Sequence, residues 1–407
     1  MKIYTDRMGC GQILIGVSLV VVLTAYLLYT PFPDDAVDAS KQMKVSIQSG
    51  LDLGKCDILE YIGYSTFPEC VRTTANPGKL HDSADLSDND VQVTEQLFDG
   101  VKVRLYEPRD KRQNRPLPAL VFYHGGGWVG GSVEQYDSFT RTLSKSVTAL
   151  VVSVEYRLAP EFKFPIPFQD CLTATKYFMK NARKFGVDAS RIAVAGDSAG
   201  GNLAMAVGTK LTQERQPPRL LGLIYPALQM ADFKTPSYNT YTSFPFVLKT
   251  DRMVQFFLWY VFGKVEYLKQ YLENQHITEE MRTSVNSKVN VKFLPEKYHK
   301  FPPNPNDLKP VDKNLAKKAE EFVNNVYICP LMLEDEMLSK LPKTYLMTCE
   351  YDPLREDGLM LAKRWKDLDF PVKHVHWDGV QHGFLTQEMK RSVEAVTDFV
   401  GYLREEL

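Results

Sequence analysis

Ser198 lies in Gly196-Asp197-Ser198-Ala199-Gly200, preceded by an apolar, β-prone run at 192–195 and followed by a helix-compatible run from Asn202. This is the Gly-x-Ser-x-Gly arrangement in a strand–turn–helix context. Gly196 and Gly200 remove side chains that would collide inside so sharp a turn. The hydroxyl is then held at the tip of the turn, above a helix N-terminus. A serine hydroxyl is a poor nucleophile unaided. It requires a base, an acid to orient the base, and donors for the developing oxyanion.

The donors are expected in His124-Gly125-Gly126-Gly127-Trp128, directly after the apolar run 119–123. Three glycines after a strand let the backbone turn with its N–H groups facing a ligand, as in HGGG-type oxyanion loops. The N–H groups of Gly125, Gly126 and Ala199 are predicted to hold the oxyanion. His124 reads as structural, bonded to its own loop. A plain glycine turn is the alternative, and the serine motif downstream argues against it.

In chain order the acid follows the serine and precedes the histidine. Asp352, just past the short apolar run 345–348, fits a carboxylate on the loop leaving a strand's C-terminal end. Glu350, Glu356 and Asp357 compete with it, although Glu356 and Asp357 suit the N-terminus of the next helix by charge. The base is one of His374, His376 and His382. His374 and His376 alternate on a strand and face the same side. They read as a metal pair only with a third ligand, and none is evident. His382, past that strand in Gly379-Val380-Gln381-His382-Gly383, is predicted to be the base, with Asp352 fixing its tautomer.

These residues need a scaffold, and the pattern from residue 91 onward supplies one. Strands at 101–105, 119–123, 149–156, 192–195, 220–225, 345–348 and 372–377 alternate with helices at 170–185, 356–368 and 393–403. Residues 101–105 read as a half-exposed edge strand. The alternation implies a mostly parallel sheet with helices on both faces. Residues 229–340 break it with several prolines and the aromatic segment Met253-Val-Gln-Phe-Phe-Leu-Trp-Tyr260, and are read as a largely helical cap insertion. That segment is either an ordinary buried helix, part of an apolar acyl or aryl site, or a surface resting on a membrane. Residues 34–95 are expected to form a further cap segment of helices over the mouth of the core, leaving 96–407 as the catalytic domain. Cys56 and Cys70 are close enough to pair in an oxidising compartment.

Net charge is −1 over 407 residues, so no nucleic-acid partner is expected. No Cys-x-x-Cys pair points to zinc or redox chemistry, and neither metal nor cofactor is expected. No obligate protein partner is evident. Residues 13–29 are almost wholly apolar, with Lys2 and Arg7 before them and Asp34, Asp35 and Asp38 after. As a helix such a run is just long enough to span a bilayer, with the positive flank cytosolic. Residues 1–33 are therefore read as a cytosolic tail and signal-anchor helix. A cleaved signal peptide is the competing reading. The run exceeds an ordinary signal core, and no clear cleavage site follows.

The motifs His124-Gly-Gly-Gly-Trp128, Glu155-Tyr-Arg-Leu-Ala-Pro160 and Gly196-Asp-Ser-Ala-Gly200 resemble the hormone-sensitive-lipase-like α/β-hydrolases. The anchor, Leu223-Ile-Tyr-Pro-Ala-Leu228 and the Asp352…Asp357-Gly358 spacing are similar to the arylacetamide deacetylase and neutral cholesterol ester hydrolase group. The resemblance covers essentially the whole chain. It implies an α/β-hydrolase fold and a single-pass type II protein of the endoplasmic reticulum membrane with its catalytic domain in the lumen. It also implies hydrolysis of a small lipophilic ester or aryl amide substrate. Amidase, triacylglycerol lipase and sterol-ester hydrolase stay open, as does a catalytically weak ligand-binding member.

Three departures from that group bear on the site. Val129 stands where cysteine often follows the tryptophan, leaving Cys349 without the partner the resemblance implies. No Asn-x-Ser/Thr sequon occurs. The loop Asp378-Gly-Val-Gln-His382 is one residue longer than the group's. That predicts a shift of His382 by about an ångström, a misplacement that can cost ~10²-fold in rate.

Overall fold

The computed structural model describes residues 33, 35–74, 90–109, 116–243, 246–299 and 309–407. The apolar run 13–29 lies outside them. Among the described residues no helix is long and apolar enough to cross a membrane.

Among the described residues two helices come first, α1 (Ala39–Tyr61) and α2 (Phe67–Thr74). The catalytic domain then runs β1 (Val91–Phe98), β2 (Val101–Pro108), β3 (Leu117–Tyr123), α3 (Asp137–Val147), β4 (Leu150–Val154), α4 (Ile166–Asn181), β5 (Val187–Asp197), α5 (Ala199–Gln213) and β6 (Leu220–Ile224). The described residues of the insertion before the next strand hold six α-helices: α6 (Pro236–Thr240), α7 (Thr250–Phe262), α8 (Leu268–Leu272), α9 (Glu279–Lys288), α10 (Lys313–Val323) and α11 (Asp335–Leu338). The chain closes with β7 (Lys343–Tyr351), α12 (Arg355–Asp367), β8 (Val372–Gln381) and α13 (Lys390–Glu406).

The strands form one eight-stranded sheet in the order β1-β2-β4-β3-β5-β6-β7-β8. β1 and β2 pair antiparallel, as do β2 and β4, and every later pair is parallel. The parallel strands β4 and β6 are buried along their whole length, as strands covered by helices on both faces must be. This is the mostly parallel α/β sheet that the alternation predicts. Two details differ. The sheet begins at Val91, so β1 crosses the expected boundary at 95/96, and β1 rather than 101–105 holds the edge. β1 takes the edge because its central residues are exposed, whereas β2 is hydrogen-bonded on both sides.

The aromatic segment is α7, and Met253, Val254, Phe257, Leu258, Trp259 and Tyr260 are all buried. The buried-helix reading holds, and the membrane-surface reading fails because that apolar face is spent on the core. Trp128 stacks on Tyr260 with centroids 4.5 Å apart, which ties the cap to the glycine loop. Cys56 and Cys70 form a disulfide between α1 and α2. Cys349 is buried and free.

Candidate active site

β5 ends at Asp197 and α5 begins at Ala199, so Ser198 occupies the whole turn, at φ 55° and ψ −119°. A non-glycine residue in this region is strained, and the surrounding contacts must impose it. Here they do. Ser198 N donates to Ile224 O at 2.8 Å, and Asn202 N donates to Ser198 O at 3.1 Å. Side chains at the flanking glycines are impossible without moving backbone. A Cβ on Gly196 would sit 2.3 Å from Gly200 O, and one on Gly200 would sit 2.0 Å from Tyr123 O.

His382 Nε2 lies 2.9 Å from Ser198 Oγ, and its Nδ1 lies 2.8 Å from Asp352 Oδ2. Asp352 Oδ1 accepts the Leu354 N–H at 2.8 Å, and Cys349 Sγ approaches Oδ2 at 3.4 Å. The acid is therefore held from two directions beyond the histidine. His382 N donates to Tyr351 O at 3.2 Å, so the loops carrying base and acid are bonded to each other.

The longer histidine loop does not displace the imidazole. The pairing of β7 with β8 shifts between Cys349↔Trp377 and Tyr351↔Gln381, so two steps on β7 (349 to 351) face four on β8 (377 to 381). A bulge at 378–380 absorbs the additional chain. Gly379 sits in it at φ 74°. Gln381 is then buried, with its Oε1 accepting from Ser46 Oγ at 3.1 Å and Val247 N at 3.0 Å. Its N–H donates to Gln42 Oε1 at 3.0 Å. Gln42 Nε2 in turn donates to Val37 O and Gly379 O, both at 2.7 Å. α1 thus clamps the loop that carries the base.

The glycine loop corrects one expectation. The Gly125 N–H donates to Asp197 Oδ1 at 2.8 Å and cannot serve an oxyanion. Asp197 Oδ2 accepts from Tyr136 Oη at 2.8 Å, and burial pushes the Asp197 carboxyl up to about 6. The motif's aspartate therefore fixes the oxyanion loop to the nucleophile turn. Among the described residues the N–H groups of Gly126, Gly127 and Ala199 meet no acceptor, which leaves them as the candidate donor set. Gly127, read from sequence as a motif residue, replaces Gly125 in it.

His124 is structural, as its place before the glycines predicts. Its Nδ1 lies 2.8 Å from Gly125 O, and its ring stacks on Tyr156 at 4.3 Å. Burial lowers its affinity for a proton. Arg72 on α2 donates from Nε to Val129 O at 2.7 Å, so the N-terminal segment also grips the oxyanion loop.

The rejected candidates have other employment. Thr348 Oγ1 lies 2.9 Å from both His374 Nε2 and His376 Nδ1, and burial pushes each imidazole down to about 4. No group of three potential metal ligands occurs among the described residues. Glu350 Oε2 accepts the Gly379 N–H at 2.7 Å. Glu356 pairs with Arg355 at 2.7 Å and accepts from the Ser237 N–H. Asp357 accepts from Leu228 N at 2.9 Å, and burial raises its carboxyl well above the ordinary range. Both acids stand in the first turn of α12. More than complementing the helix dipole, they anchor the chain as it leaves β6 for the cap.

A cavity of about 580 Å³ reaches Gly383, beside the base, and is lined also by Val45, Leu53, Cys56, Val71 and Val247. A second, of about 680 Å³, lies around Phe293, Leu359 and His374, and none of the triad lines either cavity. Ser198 and His382 are each only 8% exposed, so a substrate reaches the hydroxyl through a narrow opening.

A nucleophile, a base, an acid and free N–H donors so placed can carry out acyl transfer by a covalent intermediate. Residues 120–282 and 280–386 match the family described as the alpha/beta hydrolase fold. Mouse arylacetamide deacetylase is 37% identical over 96% of this chain and 98% of its own length. Neutral cholesterol ester hydrolase 1 of Pongo abelii is 33% identical over 90% of this chain and 91% of its own. Among solved structures, EstE1, a thermophilic carboxylesterase cloned from a metagenomic library, superposes with a TM-score of 0.65 at 28% identity, covering 85% of this chain and 99% of that one. The chain belongs to the α/β-hydrolase family, within the group of the arylacetamide deacetylases and neutral cholesterol ester hydrolases.

Proposed function

We propose that this chain is a serine carboxylic ester hydrolase that cleaves lipophilic esters, and aryl amides as a second substrate class. The observation that carries the reading is the continuous Ser198–His382–Asp352 chain at 2.9 and 2.8 Å beside three free N–H groups. His382 Nε2 takes the Ser198 proton as Oγ attacks the carbonyl carbon. The new oxyanion is received by Gly126, Gly127 and Ala199 N–H. Asp352 holds the Nδ1–H and stabilises the imidazolium, which then protonates the leaving alcohol or amine. Water, deprotonated by the same imidazole, attacks the acyl-enzyme and releases the acid and the serine. The reach of His382 to Ser198 disfavours the reading as a ligand binder that has lost catalysis.

The apolar run 13–29 and the charges flanking it support anchoring in the endoplasmic reticulum membrane as a single-pass type II protein. The Cys56–Cys70 disulfide supports a lumenal, oxidising location for the catalytic domain. The names of the relatives support both substrate classes.

The test is hydrolysis of a short-chain p-nitrophenyl ester by the wild type and by Ser198→Ala, together with labelling by a serine-directed fluorophosphonate. Loss of both activities in the variant is expected. Equal rates in the two proteins refute the assignment.

A further inference from the structure

Eight large apolar side chains stand exposed among the described residues, and five of them crowd into 51–64: Leu51 at 57%, Ile58 at 63%, Tyr61 at 91%, Ile62 at 64% and Tyr64 at 79%. They do not follow from a weak helix pattern. Lys41, Lys44, Gln48, Leu51, Lys55, Ile58 and Ile62 follow one another at spacings of three and four, so they form a single stripe along α1. Every one of them is exposed. The other side of the helix buries Gln42, Ser46 and Cys56 against the catalytic domain. The stripe is basic and polar near the start of α1 and apolar at its end and in the turn toward α2.

We propose that this apolar end of α1, including Tyr61, with Ile62 and Tyr64 of the following turn, is a lipid-contacting surface that seats the catalytic domain on a bilayer. The composition is that of an interfacial helix: aliphatic side chains to insert, tyrosines for the headgroup level, and lysines able to extend toward water. The chain leading into α1 points to the same occupant. The apolar run 13–29 ends ten residues before Ala39, and this proposal rests on reading that run as an anchor. A helix rises ~1.5 Å per residue, so the 23 residues of α1 span about 35 Å. The anchor and the apolar patch then hold the domain at two separated points and fix its tilt, which one flexible attachment cannot do.

The sequence at 75–89, which follows α2, is acidic rather than apolar. It contains Asp82, Asp85 and Asp88 and only two leucines. The surface also adjoins a cavity. Val45, Ser49, Leu53 and Cys56 of the same helix line the cavity that reaches Gly383 beside the base. A lipophilic ester dissolved in the bilayer would meet that cavity next to the inserted surface.

The experiment uses the full chain, in a Cys10→Ser background, reconstituted in phosphatidylcholine vesicles. An environment-sensitive fluorophore is attached at Ile62→Cys or, as a control, at Ala189→Cys. Ala189 is exposed at the end of β5 remote from Ser198. Brominated acyl chains are expected to quench the first label several-fold and leave the second unchanged. Equal quenching at the two positions overturns the proposal. So does a blue shift at Ile62→Cys without bromolipid quenching, the signature of pairing between two copies of the chain. Independently, the Ile58→Asp/Ile62→Asp variant is expected to hydrolyse a water-soluble ester at the wild-type rate. Its hydrolysis of an oleoyl ester held in the vesicles should fall at least fivefold. Equal rates on both substrates, or equal loss on both, overturn it. An inactive wild type would count against the hydrolase reading, while the quenching result still decides the surface.

Discussion

Gln42→Leu removes the clamp between α1 and the histidine loop while nearly conserving volume. Gln42 is fully buried and makes three side-chain hydrogen bonds, accepting from the Gln381 N–H and donating to Val37 O and Gly379 O. Gly379 O keeps its bond from the Val37 N–H, so its loss is mild. The Gln381 N–H is left buried without its acceptor, which costs ~1–3 kcal/mol, and each of the other two bonds contributes about 1 kcal/mol net. The sum, ~3–5 kcal/mol, exceeds what a helix docked at the edge of a domain retains as local stability. The expected result is undocking of α1, with the catalytic domain still folded. His382 is the next residue after Gln381. A displacement of about 1 Å at the imidazole lowers the rate ~10²-fold. The assay has two arms. Hydrogen exchange should lose protection at residues 379–383 and along the first turns of α1, and kcat on a soluble short-chain ester should fall ~10²-fold with KM changed less. Retention of both exchange protection and kcat would show that α1 does not position the base, and the reasoning would fail.

Gly127→Ala forces a side chain into backbone at φ 63° and places Cβ 2.4 Å from the Phe256 ring. Displacing this donor should lower kcat ~10²–10³-fold with little effect on folding, as steady-state kinetics and far-UV circular dichroism would show. The Asp197 carboxyl, pushed up from 3.8 to about 6 by burial, keeps a proton in the folded protein that the unfolded chain has released. Its stabilisation is complete below about pH 4 and is lost as pH rises through about 6, a change of about 3 kcal/mol. Asp197→Asn removes that dependence, so urea unfolding should show its stability relative to wild type rising by up to that amount between about pH 4 and 7. Cys70→Ser opens a disulfide that closes 14 residues, worth about 3 kcal/mol for a loop of roughly that size. Limited proteolysis should then cut between α1 and α2 while ester hydrolysis at low temperature persists.

The parts of the site that were legible in the sequence share one property: local chemistry dictates them. The elbow needs Gly196 and Gly200 because backbone atoms stand within about 2 Å of where a Cβ would go. The glycine loop, the acid after β7 and the histidine after β8 follow from where strands end. What escaped the sequence depends on contacts distant along the chain. Gly125 looks like an oxyanion donor until Asp197, 72 positions away, is seen to take its N–H. In the sequence Asp197 reads as a motif residue, and only its being a carboxylate beside the nucleophile signals that it must bond something. Glu356 and Asp357 read as dipole partners because nothing local reveals that the chain near 228–237 folds back onto them. Gln42 carried no signal at all. Its partner lies 339 residues away, and a lone glutamine in an amphipathic helix is ordinarily a surface residue. The longer histidine loop is visible in the sequence, but a length does not say whether a bulge absorbs the added residue or passes it on to the imidazole.

That bulge places part of the catalytic apparatus outside the region that carries the hydrolase signature. The family match spans 120–386, yet the two loops that hold the reacting groups are both gripped by helices before it. α1 reaches the base loop through Gln42 and Ser46, and α2 reaches the oxyanion loop through Arg72, which bonds Val129 O and pairs with Glu161. Phe67 of α2 stacks on Trp259 of α7, so the cap joins the same assembly. Removing these helices would expose the cavity beside Gly383 and release both loops together. The nucleophile turn, built from β5, α5 and β6, would remain. Rate loss on truncation would therefore arise from the base and the oxyanion donors while Ser198 stays in place. The chemistry belongs to the central sheet and the turns at its strand ends. Its alignment, and the shape of the cavity beside Gly383, belong in part to α1 and α2.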